Sequence, residues 1–145
     1  MTAAHWHGYS WTGSSAELKD ESLRRPTTPG APETQAFIRS TVPPLRTGHY
    51  LMRRPGTDQT WTDPDNVIAW LVAGYERNPP YERENRAQAY LPLDGRIGTS
   101  RDGLVHGVDA WWQYYASGMG QVVLAAICCP HAHLPEIPCP TPPRT

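Results

Sequence analysis

At 145 residues with a formal net charge of −1, the chain has the length of one domain and can bury about two-thirds of its unfolded surface. Between residues 35 and 129, nine Arg balance nine Asp and Glu, so no basic field exists to hold a phosphate backbone, and non-specific nucleic-acid binding is disfavoured. The longest apolar run, Val122 to Cys129, has eight residues; a membrane-spanning helix needs roughly 20, so none is expected.

Six Trp and seven Tyr against one Phe give the core an aromatic character, and rings with polar tips suit ligand pockets as well as cores. Six of the 16 prolines follow Cys129, which predicts a disordered tail over 130–145. Twelve Arg to one Lys reflects the codon bias of a GC-rich genome. The first residues, MTAAHWHGYS, lack a basic start and an apolar stretch, and all three Cys lie in the last 18 residues. Both features predict a cytoplasmic protein with reduced thiols.

In chain order, residues 1–34 mix Ser, Thr, Gly and Pro without apolar periodicity and read as a flexible arm. Trp6, Tyr9 and Trp11 are its exception, rings able to dock on the core or on a partner. A short helix is expected over 35–42, stopped by Pro43 and Pro44, and then a strand near His49 to Arg53, closed by Pro55-Gly56. The strongest pattern runs from Pro64 to Arg77. Thr62 or Asp63 can cap it, Pro64 fits the first turn, and Val67, Ile68, Leu71, Val72 and Tyr75 form one apolar stripe. A strand over 87–93 and an exposed loop over 94–103 follow. Residues 109–117 can form a capped helix or a strand; a hairpin with 122–129, turning at Ser117 to Gly120, is favoured because Trp, Tyr and Val suit a pleated surface.

These elements predict an α+β class, one globular domain over 35–129 in which the amphipathic helix at 64–77 packs on a mostly antiparallel four-stranded sheet, with flexible N- and C-terminal tails. A sheet with one helical layer leaves a face to cover, which makes a homodimer an expectation.

Two constellations carry chemistry. His106 and Asp109, with Tyr114, supply the minimum for general acid–base catalysis. Arg96 and Arg101 can hold a carboxylate or phosphate, and Trp61, Trp111 and Trp112 can stack on an organic ligand. The bland alternative is a loop His beside core rings. The stretch from Gly95 to Gly103, GRIGTSRDG, resembles an anion-binding turn but lacks a P-loop lysine. The second constellation gathers Cys128, Cys129, His131 and His133, with Cys139 nearby, donors that zinc or copper prefers. It lacks a C-x-x-C pair, and the alternative is a strand ending in two small buried hydrophobes, or either adjacent Cys oxidised onto Cys139.

The functional expectation is a small cofactor-independent tailoring enzyme, or a binding protein, acting on an apolar, aromatic or peptide small molecule through an aromatic-lined pocket. The alternative is a non-catalytic protein–protein interaction module that uses exposed aromatics and its tails.

Overall fold

In the computed structural model, which describes residues 4–81, 92–116 and 120–143, four strands form one antiparallel sheet. These are β1 (His5–Gly13), β2 (Thr60–Trp61), β3 (Ala110–Tyr115) and β4 (Gln121–Cys129), in the spatial order β2-β1-β4-β3. Three helices accompany them: α1 (Pro32–Arg39), α2 (Pro64–Arg77) and α3 (Leu93–Val105). A 3-10 helix occupies Thr47–Met52.

Strand β4 is apolar along nearly its whole length because it is central and buried on both faces. Side chains alternate across a strand, so Val122, Leu124, Ala126 and Cys128 line one face, while Val123, Ala125, Ile127 and Cys129 line the other. The first face meets α2 and α3. Asp63 caps α2 by accepting the Asp65 amide at 2.9 Å, and Pro64 stands in the first turn, as the residue pattern requires. Its stripe buries Val67, Ile68 and Leu71 against the sheet, each side chain contributing about 1.5–3 kcal/mol of transfer free energy. At Gly74 the helix comes so close that an added Cβ would stand 2.9 Å from the Leu124 side chain. The expected hairpin is β3 paired with β4, with Trp112 opposite Leu124 and Tyr114 opposite Val122.

Several expectations fail for identifiable reasons. The supposed N-terminal arm supplies β1, one of the two central strands, its residues running in register from His5 opposite Cys129 to Gly13 opposite Gln121. Its period-two pattern is masked by His, Gly, Ser and Thr, which lower its mean hydropathy, and its partner lies more than a hundred residues away. Trp6 joins the helix-side core, while Tyr9 and Trp11 join the opposite one. The strand expected near 49–53 is the 3-10 helix, closed by a local bond from the Arg53 amide to the Tyr50 carbonyl at 2.9 Å in place of a ladder partner, with Tyr50 and Leu51 both buried. The exposed loop expected over 94–103 is helical. Leu93, Ile97 and Leu104 fall within about 40° of a helical wheel, and all three meet the core. The strand expected over 87–93 falls mostly outside the described residues; Leu93 itself begins α3.

The C-terminal stretch forms no helix or strand over 130–143, yet it is packed, not loose. Leu134 is buried, and Ile137 joins Tyr9, Trp11, Tyr50 and Leu51 on the second sheet face. That face is thus covered, at least in part, from within the chain.

Candidate metal centre

One end of the second sheet face carries the densest group of soft donors. His5 and His7 are two apart on β1, so their rings project from the same face, and they meet edge to face with centroids 4.8 Å apart. Cys129 lies opposite His5 in the ladder. The packed C-terminal stretch brings Cys139 over the three. The ligating atoms of His5, His7, Cys129 and Cys139 all lie within 4.8 Å of one another, so the group could hold a metal ion.

Two of the spacings match those of a tetrahedral zinc site. Cys139 Sγ stands 3.4 Å from His5 Nε2 and 3.5 Å from His7 Nε2, and zinc bonded at its usual lengths to imidazole nitrogen and thiolate sulfur separates those atoms by about 3.5 Å. The other ring nitrogen of His7, Nδ1, is 2.9 Å from Thr60 Oγ1, the outer partner that orients a ligating imidazole. Because Thr60 pairs with His7 in the ladder, β2 sets that orientation.

His5, His7 and Cys129 are buried, whereas Cys139 is exposed, its thiol donating to the Thr141 carbonyl at 3.2 Å. Burial, helped by the neighbouring His5, lowers the His7 pKa to about 4, keeping the imidazole neutral and its lone pair available. Burial and the contact with Cys139 push the Cys129 thiol up to about 12. A bound cation has to displace that proton, as metal binding to thiols does generally. Two open clefts flank the group. One, of about 400 Å³, is lined by Thr60 and Thr141; the other, of about 370 Å³, by Leu51, Ile137 and Cys139 itself.

Of the Cys and His residues read from the sequence as a metal cluster, Cys129 and Cys139 enter this group. Cys128 faces the helices. His131 is buried elsewhere, its Nε2 donating to Asp109 Oδ2 at 2.8 Å while its Nδ1 accepts the His133 amide at 3.2 Å, and the His133 side chain is exposed. The signal that could have found the two histidines is the alternation H-x-H-x-Y-x-W in residues 5–11, which places His5 and His7 on the face of Tyr9 and Trp11.

The proton-transfer set does not converge. His106 caps the C-terminus of α3 on the surface, with Nδ1 2.7 Å from the Asp102 carbonyl. Asp109 instead receives hydrogen bonds from Thr47 Oγ1 at 2.8 Å and the Cys128 amide at 2.7 Å, besides that from His131. Tyr114 is buried with its hydroxyl donating to the Asn78 carbonyl at 2.6 Å, and burial pushes its pKa up to about 12.

The stacking set is divided. Trp112 is buried on the helix side and donates to Ser100 Oγ at 2.8 Å. Trp111 lies on the opposite face, its ring 5.9 Å from Tyr50, and Trp61 packs on Trp70 at 5.1 Å. Arg96 sits over the rings of Tyr75, Trp112 and Tyr114 at 5.4–6.0 Å, and Arg101 reaches Asp65 at 3.3 Å. The stretch from Gly95 to Gly103 lies inside α3 and offers no loop of free amides. Compared with protein-family models, curated proteins and solved structures, the chain matches none.

Proposed function

We propose that this is a zinc-binding protein in which His5, His7, Cys129 and Cys139 hold one ion and staple the C-terminal stretch to the central strands. The observation that carries this reading is the convergence of four donors from three separate segments within 4.8 Å. Two imidazoles and two thiolates in tetrahedral array are a donor set for zinc, and four protein ligands close the coordination sphere, which is the mark of a structural ion, not a catalytic one. Thiolate ligands also fit a reducing compartment, in keeping with a cytoplasmic setting. The reading as a tailoring enzyme with an aromatic pocket has weaker support, because its rings are shared between two faces of the sheet and its acid–base residues point to different partners.

The test is metal content after purification under reducing conditions and exposure to zinc. Native mass spectrometry should show about one zinc per chain. Uptake should weaken progressively as the pH falls, because protons compete with the ion for the Cys129 sulfur, whose pKa burial raises. Cys129→Ser and His7→Ala should lose the ion, and Cys128→Ser and His133→Ala should keep it. Equal uptake by wild type and His7→Ala would reject the site, and preferential retention of copper(I) would reassign the ion.

A further inference from the structure

The geometry points to a redox-released metal: peroxide converts Cys129 and Cys139 into a disulfide, and the ion leaves. This inference rests on the zinc reading above and adds a regulation that the reading does not contain. Three observations carry it. First, Cys139 is the exposed member of an otherwise buried group, on a stretch with proline on either side, so an oxidant reaches its sulfur before any other in the site. Second, the Cys129 and Cys139 sulfurs lie within 4.8 Å of each other, and a small movement of the Cys139 stretch brings them to bonding distance. Third, Cys128, adjacent in sequence, projects from the opposite face of the sheet, which leaves Cys129 as the partner thiol.

In the loaded protein both sulfurs are thiolates. The Cys139 thiolate attacks one peroxide oxygen, the O–O bond breaks and hydroxide leaves, giving a sulfenic acid at Cys139. The Cys129 thiolate then attacks that sulfur, forming the S–S bond, breaking the S–O bond and expelling a second hydroxide. Two thiolates lose two electrons, and the peroxide gains them. Zinc retains only His5 and His7 and dissociates. The C-terminal stretch does not need the ion to stay near, because Leu134 is buried, Ile137 packs on the sheet and His131 is held by Asp109. The disulfide replaces the metal as the tie.

The experiment starts from the full chain loaded with zinc, its metal content measured before hydrogen peroxide is added. Release is followed with a chromogenic zinc chelator, alongside intact mass and peptide mapping. The expected result is release of about one ion per disulfide formed, a mass lower by two hydrogens, a crosslink joining Cys129 to Cys139, and recovery of zinc binding after a dithiol. Cys128→Ser should respond as wild type does; if that variant folds poorly, mapping of the wild-type crosslink decides the partner. Zinc retained through oxidation, zinc lost with added oxygens on Cys139 and no crosslink, or a crosslink through Cys128 would each overturn this inference alone. A chain that binds no zinc before peroxide is added would overturn it together with the reading beneath it.

Discussion

Saturating zinc should raise the unfolding midpoint of the reduced protein by about 10 °C. An ion present at a thousandfold excess over its dissociation constant stabilises the native state by about 4 kcal/mol when the unfolded chain does not bind it, and a domain of this size shifts by about 2–4 °C per kcal/mol. The increment should be large because the ligands tie residues 5 and 7 to residues 129 and 139, joining the two ends of the described chain. Calorimetry with zinc and with a chelator measures it directly. Cys129→Ser and His7→Ala should each abolish the increment. Thr60→Val should leave the fold intact but weaken zinc affinity by about 10- to 100-fold, because Thr60 orients His7 without ligating. A midpoint indifferent to zinc would refute a structural role for the ion.

Asp109→Ala should cost about 3–5 kcal/mol, the range for breaking a buried charged partner. Its carboxylate receives the Cys128 amide at the end of the central strand, the Thr47 hydroxyl and the His131 ring. Truncation removes the shared acceptor of all three, leaving the Cys128 amide unpaired and the Thr47 hydroxyl and His131 ring only their 3.4 Å contact with each other. His131 is boxed in: a Cβ at Gly48 would stand 2.9 Å from its Nδ1. Asp102→Ala, beside His106 on the surface, should change stability by less than about 0.5 kcal/mol. Denaturant midpoints for the two variants separate the cases, and a loss below about 1 kcal/mol for Asp109→Ala would contradict the clamp. The comparison also bears on His106, whose nearest carboxylate is Asp102, while Asp109 serves the end of β4 and the start of the C-terminal stretch.

The two structural clamps explain why residues without helix or strand are nonetheless placed. Asp109 holds His131, and the candidate ion would hold Cys139, so the proline-rich stretch is fastened at two points with Leu134 and Ile137 packed between them. Proline removes backbone donors and disfavours both helix and ladder, which reads in the sequence as disorder. Side-chain anchoring overrides that signal.

What the residues determined by themselves is local. The capped, proline-started helix at 64–77 and the hairpin of β3 and β4 follow from periodicity and turn chemistry within some twenty residues of chain, and they carry the α+β class with them. The apolar run over 122–129 read as the second strand of that hairpin for the same reason, and the fold buries it on both faces. Tertiary structure alone decided which strand lies on the other side of β4 from β3. Pairing β1 with β4 closes a loop of more than a hundred residues, and that register, His5 opposite Cys129, has no trace in either segment considered alone. The same pairing splits the adjacent Cys128 and Cys129 between opposite faces, sends His131 to Asp109, and assembles the donors from both ends of the chain. A binding site made of side chains from distant segments exists only once the backbone hydrogen bonds between them have fixed the register.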